Sequence, residues 1–283
     1  MLKNTFFKKS IKRGTKYVML TAYDALTSRV LEAAGVDFIL VGDSVGMVLL
    51  GYPNTSCVTM DEMIHHAKAV RRGAPKSCVV GDLPKKGVEK GPKQALLSAK
   101  RFRDEAKINV VKIEWGKDCL RSTESIVRQK IAVQGHVGLT PQAVKNATGF
   151  RLQGKTAVTA LKIFKQAKAF ESAGASLLLL ECIPWQLAKL IQENVSIPTI
   201  GIGAGPYCDG QVLVFQDLIG MFDQFKPKFV RRYAETSAEV KKAVVGYARD
   251  VRQNRFPGLG ESFSLDGAEF EKLRLAVKRG QTR

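Results

Sequence analysis

The sequence predicts a (β/α)8 barrel. Three observations carry that reading. Eight short apolar runs recur along the chain, helical patterns fill the intervals between them, and 283 residues is a size at which such barrels close as one domain.

The runs come in order. KYVMLTAY (16–23), FILVGDS (38–44), SCVVGDLP (77–84) and NVVKIEWG (109–116) make the first half. IAVQGHVGL (131–139), SLLLLECIP (176–184), IPTIGIGAG (197–205) and VLVFQDLIG (212–220) make the second. Most are continuous in Val, Ile and Leu, as suits strands buried on both faces of a parallel sheet. The segments ALTSRVLEAAG, TMDEMIHHAKAVRRG, PKQALLSAKRFRDEA and AVTALKIFKQAKAFESAG carry helical spacing. Thr59 and Glu62 are set as a capping box at one helix start. Gly35 and Gly174 stand where two helices should stop. A doubly wound sheet would carry a glycine-rich phosphate turn after its first strand, but that strand ends in TAYD, and GIGAG (201–205) lacks the later glycine. From about Ala234 the chain reads as helices wrapping the barrel. Residues 1–283 therefore read as one barrel domain with a basic N-terminal segment and a C-terminal helical extension.

Composition narrows the function classes. Hydrophobic residues are 45% of the chain, enough for a substantial core, yet no apolar run reaches the length of a membrane span. The opening MLKNTFFKKSIKRGTK is basic but lacks the apolar stretch of a secretory signal. Cysteines at 57, 78, 119, 182 and 208 include no CxxC pair, so a reduced, cytoplasmic protein is expected. The formal charge of +19 clusters near the N-terminus, in KKGVEKGPK (85–93), in KPKFVRRY (226–233) and in the closing KRGQTR. Such charge admits nucleic acid or an acidic ligand. The clusters lack the interleaved aromatic platforms of single-strand binders, which favours a solvated basic surface.

The chemistry gathers at strand ends. Asp43 closes the second run, Asp82 the third, Glu114 lies near the end of the fourth and Glu181 near the end of the sixth, with His136 late in the fifth. A barrel brings all of them to one mouth, where active sites sit. A lone Asp43 could simply cap the following helix. Three clustered carboxylates repel one another and call for a cation. With no cysteine or histidine pair among them, the donors suit magnesium, which keeps waters and accepts substrate oxygens. Lys112 and Glu114, two apart on one strand, face the same side; Lys112 then pairs with Glu114 or with a substrate carboxylate. Ser44 offers a hydroxyl and a backbone N–H beside the metal. His136 reads either as a hydrogen-bonded core residue or as a participant. One of His65 and His66 is expected to pack against the barrel. Glu181 follows Leu177 to Leu180, and a carboxyl among apolar walls suits a general base, unless an Arg or Lys pairs with it.

Taken together, LTAYD, LVGDSVGM, TMDEMIHHAKAVRRGAP, VVGDLP, VKIEWG, GHVGLTPQ, LLLLECIP, GIGAG, CDGQVLV and PKFVRRYAE closely resemble the ketopantoate hydroxymethyltransferase family, in that family's order, over roughly residues 16–260. The resemblance implies a (β/α)8 barrel and transfer of a hydroxymethyl group from 5,10-methylenetetrahydrofolate to 3-methyl-2-oxobutanoate. It also implies magnesium, small-molecule partners (a 2-oxo acid and a folate), and self-assembly, commonly as decamers. By the same resemblance Asp43, Asp82 and Glu114 bind the metal, Ser44 and Lys112 hold the oxo-acid, and Glu181 is the base. Two loops depart from the family pattern: LPKKGVEKGPK after Asp82 is longer and basic, and GMFDQFKPKF follows the last strand. The rival readings are a magnesium-dependent lyase or mutase on a related barrel, marked by a catalytic cysteine in a mobile loop, and a basic nucleic-acid binder on a retired enzyme scaffold.

Overall fold

The computed structural model describes residues 15–143, 151–223 and 226–280. The basic N-terminal segment up to residue 14 and the last three residues lie outside that range. Eight parallel strands close into a barrel in sequence order. They are β1 (Tyr17–Thr21), β2 (Phe38–Val41), β3 (Cys78–Asp82), β4 (Val110–Glu114), β5 (Ala132–Gly138), β6 (Leu177–Glu181), β7 (Thr199–Ile202) and β8 (Gly210–Leu213).

The continuous apolar runs arise because each strand is covered twice. Phe38, Leu40, Val80, Val110, Leu177, Leu179, Ile200 and Val212 point inward and fill the barrel. Their neighbours Ile39, Val41, Val79, Val111, Val133, Leu178 and Leu180 point outward into the helical layer. Strand side chains alternate with period two. The inward set of β3, β4, β5 and β6 therefore continues, past its hydrophobic members, into Asp82, Lys112 with Glu114, His136 and Glu181. The mouth chemistry is the polar end of the same row that packs the interior.

The principal helices of this unit include α1 (Ala25–Ala33), α2 (Val45–Val48), α3 (Met60–Gly73), α4 (Lys85–Val88), α5 (Pro92–Ala106), α6 (Cys119–Arg128), α7 (Ala157–Ser172), α8 (Trp185–Asn194) and α9 (Phe215–Leu218). The capping box forms as expected: Thr59 accepts from Glu62 N, and Glu62 accepts from Thr59 N. Gly35 and Gly174 end their helices at φ of 74° and 92°. His66 reaches the barrel, with Nδ1 at 2.8 Å from Tyr23 O. The last strand differs from expectation. It begins two residues earlier, at Gly210, and stops at Leu213. Phe215 N then bonds Thr21 Oγ1 at 2.9 Å, which turns the chain into α9 where the apolar run had suggested strand.

Contacts divide the chain into two compact units, Met1–Ala234 and Glu235–Arg283. The second is helical, with α10 (Thr236–Arg252) and α11 (Gly267–Gly280), and Tyr247 meets Phe256 edge-on at 5.4 Å.

Gly135 on β5 shows how tightly the layers fit. A Cβ there would lie 2.4 Å from the Phe170 ring of α7. Gly135→Ala should cost about 1–3 kcal/mol through overpacking, seen as a lower midpoint in thermal or urea unfolding. An unchanged midpoint would show that the ring can move aside freely.

Candidate active site

Strand register assembles the site. Asp82 pairs with Lys112, Glu114 with His136, and Gly138 with Glu181 across adjacent strands. Lys112 Nζ lies 2.6 Å from Asp82 Oδ2 and 3.5 Å from Glu114 Oε1, and all three residues are buried. The nearer partner of Lys112 is thus Asp82, not Glu114 or a substrate anion alone. Glu114 shares its strand with Lys112, whereas register places Asp82 directly alongside. Asp43 stands two residues beyond β2. Its backbone N–H donates to Asp82 Oδ2 at 3.2 Å, and its Oδ2 accepts from Gln142 Nε2 at 3.0 Å. Its side chain does not cap α2, whose N-cap is Ser44. Ser44 Oγ is 2.8 Å from the hydroxyl of buried Tyr23.

Gln142 is the residue that strand-end reasoning missed. It follows β5 in a short 3-10 turn, Pro141–Ala143. Its amide N–H group also donates to Leu83 O at 2.9 Å, and its backbone N–H donates to Glu114 Oε2 at 3.2 Å. Through its side chain and its backbone N–H, this one residue ties the ends of β2, β3 and β4 together. The signal was the GLTPQ stretch that follows His136.

His136 is fully buried between two carboxylates, with Nδ1 at 3.4 Å from Glu114 Oε1 and Nε2 at 3.2 Å from Glu181 Oε2. The partner of Glu181 is therefore a histidine, not an Arg or Lys. The Glu181 carboxylate remains partly exposed and lines a cavity of about 120 Å3 together with Asp43, Ser44, Asp82 and Lys112. Leu179, Ile202 and Val212 form an apolar wall of the same cavity.

Burial and mutual charge shape the protonation of these groups. Desolvation, with Asp82 beside it, pushes the Asp43 carboxyl well above the usual range. Desolvation opposes charge on Lys112, yet Asp82, Glu114 and Asp43 outweigh it and hold the ammonium protonated. Desolvation likewise works against ionised Glu114, but Lys112 and His136 prevail and keep its carboxyl below the usual range. His136 is disfavoured as a cation by burial and by Lys112, and the two glutamates still raise it to about 9. Four acidic side chains (Asp43, Asp82, Glu114, Glu181) thus gather around two basic ones (Lys112, His136).

The residues fit a hard divalent cation. Asp82 Oδ1 is buried without a hydrogen-bond partner, and Asp43 adjoins it. Glu114 is more engaged, with one oxygen on Gln142 N and the other facing Lys112 and His136. Among the described residues no group of three or more His, Cys, Asp or Glu forms a ready cage. The oxygen donors present are those of Asp43 and Asp82, and magnesium is an ion that takes one or two carboxylates and completes its shell with water and substrate oxygens. Cys119, the cysteine that a lyase-type site would need, is buried at the start of α6, and burial raises its thiol.

The chain is similar to known proteins along most of its length. The family described as "Ketopantoate hydroxymethyltransferase" matches residues 2–259. Proteins named 3-methyl-2-oxobutanoate hydroxymethyltransferase are similar along nearly the whole chain. That of Clostridium botulinum strain 657 is 46% identical over 94% of this chain and 97% of its own length. That of Dehalococcoides mccartyi strain CBDB1 is 48% identical over 93% and 94%, and that of Enterococcus faecalis is 46% identical over 96% and 100%. Among solved structures, 2,3-dimethylmalate lyase superposes with a TM-score of 0.60 at 15% identity, covering 98% of both chains. Phosphonopyruvate hydrolase superposes with 0.59 at 12% identity, covering 99% of this chain and 98% of its own. At such identity the structural likeness carries the barrel fold and nothing about chemistry.

The buried charges give a pH prediction. His136 titrates near 9 when folded and near 6.5 when unfolded. The imidazolium therefore adds stability that is complete below about pH 6.5 and is lost as pH rises toward 9. Asp43, also raised, acts in the same direction at lower pH. In chelator, the thermal midpoint should fall between pH 6.5 and 9, and His136→Asn should flatten that fall. A flat profile in the unaltered protein would overturn the charged assignment of His136.

Proposed function

This chain belongs to the ketopantoate hydroxymethyltransferase family, and from that premise we propose how its barrel mouth carries out the transfer. Membership makes it a hydroxymethyltransferase of pantothenate biosynthesis, an enzyme that requires a one-carbon donor. We take 3-methyl-2-oxobutanoate as acceptor, 5,10-methylenetetrahydrofolate as donor and 2-dehydropantoate as product. The observation that carries the reading is the meeting of Asp43, Asp82, Lys112 and Glu181 at one cavity that also has an apolar wall of Leu179, Ile202 and Val212.

Asp43 and Asp82 would hold Mg2+, with Glu114 as the third carboxylate of the set. Bound there, the ion supplies Lewis-acid polarisation that acidifies the carbon next to the keto group. Lys112, charged at all working pH values, and the Ser44 hydroxyl bind the oxo-acid carboxylate. Leu179, Ile202 and Val212 receive its branched end. Glu181 removes the C3 proton. His136 Nε2, at 3.2 Å from Glu181 Oε2, keeps that side chain in line with the cavity. The carbon pair left at C3 forms a bond to the methylene carbon of the donor. One of the two C–N bonds that bridge this carbon breaks as the new bond forms; water supplies the hydroxyl as the second breaks, and the proton taken from C3 and one from the water balance the two freed folate nitrogens, so tetrahydrofolate leaves. The work of the chain is positioning and preorganised charge.

The setting is cytoplasmic in this proposal, supported by five free cysteines and by the absence, among the described residues, of any helix long and apolar enough to cross a membrane. Self-assembly, with the decamer as the common family form, belongs to the same proposal.

Deuterium exchange at C3 of 3-methyl-2-oxobutanoate, with folate absent, isolates the first half of the reaction. Exchange should require magnesium, and Asp43→Ala or Asp82→Ala should abolish it in folded protein. Magnesium-independent exchange sinks the metal assignment. Glu181→Gln should slow exchange by roughly 10²–10⁴-fold, the usual contribution of a general base. If instead His136→Asn stops exchange and Glu181→Gln slows it only a few-fold, the histidine is the base. Lys112→Ala should raise the KM for the oxo-acid by roughly one to two decades, as expected for a lost charge-assisted bond worth about 1.5–3 kcal/mol. An unchanged KM would confine Lys112 to pairing with Asp82.

A further inference from the structure

The polar groups assigned to the oxo-acid half of the reaction come from the ends of β2, β3, β4 and β6, and its apolar wall from β6, β7 and β8. Across the ring from β4 stands β8, and the segment after it also lines the cavity without a role so far. Asp217 lies there, on α9, whose first residue is fastened to β1 through Phe215 N and Thr21 Oγ1. The Asp217 carboxyl faces the cavity. Among the described residues it accepts no side-chain or backbone hydrogen bond and forms no ion pair within 4 Å. Arg232 lies close enough to favour its charge, while the guanidinium donates to Phe222 O at 3.1 Å. Desolvation raises the Asp217 carboxyl to about 6. Phe222, Pro227 and Phe229 line the cavity beside it. Phe229 is set close by Gly203, where φ is 61° and a Cβ would come within 2.7 Å of the ring.

A half-buried carboxylate with free acceptors costs stability unless a ligand meets it. Its two oxygens match a pair of parallel N–H donors on one edge of a flat molecule, and such forked bonds to a carboxylate are short and strong. The two phenylalanines offer faces and edges to an aromatic or partly reduced ring. A pterin has this chemistry, since its ring N–H and exocyclic amino group form one donor edge on a planar body. We propose that Asp217, with Phe222 and Phe229, is the subsite for the pterin head of the one-carbon donor. The inference rests on the reading that the donor is a reduced folate. It seats the head across the mouth from Lys112, so that the one-carbon unit lies toward the carbon that Glu181 deprotonates.

The test uses the full-length protein with magnesium and tetrahydrofolate as the binding probe, followed by calorimetry, together with steady-state kinetics in 5,10-methylenetetrahydrofolate. Asp217→Asn keeps the shape but turns one acceptor into a donor pair that opposes the pterin edge. Tetrahydrofolate affinity should fall roughly 10–100-fold, with an equal rise in KM for the donor, the loss expected for a charge-assisted bond. C3 exchange of the oxo-acid, which needs no donor, should move less than about two-fold. Asp217→Ser repeats the measurement if the amide variant folds poorly. Wild-type affinity for tetrahydrofolate in both variants overturns the subsite. Loss of C3 exchange in step with affinity also overturns it and assigns Asp217 to the oxo-acid half. If the unaltered protein exchanges C3–H yet neither binds tetrahydrofolate nor turns over, the folate reading itself fails and the subsite with it.

Discussion

A buried ammonium group has to be neutralised where it stands, and Lys112 makes that demand at the centre of this barrel. Removing one partner from a buried ion pair typically costs 3–5 kcal/mol, because the remaining charge is left in a low-dielectric interior. Asp82 therefore has to stand beside Lys112, and only the observed β3–β4 register puts it there. A shift of either strand by one residue would turn its own member of the pair into the helical layer and leave the other alone. The ion pair thus reports on strand alignment as much as on chemistry. Gln142 extends the constraint by holding Asp43 and Glu114 around the same pair.

The remaining polarity follows from that core. Acidic side chains outnumber basic ones around Lys112 and His136, although the chain as a whole is strongly basic.

Much of this was legible in the chain. The continuous Val, Ile and Leu runs announced a doubly covered parallel sheet, and the acidic residues at their ends announced the mouth. Period two alone placed Lys112 and Glu114 on one side of β4. What stayed hidden depends on distance in sequence. The Asp82–Lys112 contact spans neighbouring strands and needs register, which no local pattern states. The role of Gln142 needs three loop ends to converge on one turn. The histidine beside Glu181 needs the β5–β6 offset. The eighth strand was misframed because VLVF and LIG read as one apolar run interrupted only by Gln216 and Asp217, and the hydroxyl that ends the strand comes from Thr21, near the other end of the chain.

The seam between β1 and β8 has a kinetic consequence. Tyr17 N bonds Asp209 O, and Lys16 Nζ bonds Cys208 O, so this ladder joins segments about 190 residues apart. Contacts of such separation bear the largest loop-closure entropy and belong to the slow end of folding. Until the seam forms, β1 and β8 are open edges able to pair with other chains. The nascent barrel passes through a stage in which the acidic half of the mouth is spelled out while the wall carrying Asp217 has yet to emerge from the ribosome. Ligand binding cannot assist the early steps of assembly. It acts only on a cylinder that has already closed, as a brake on reopening.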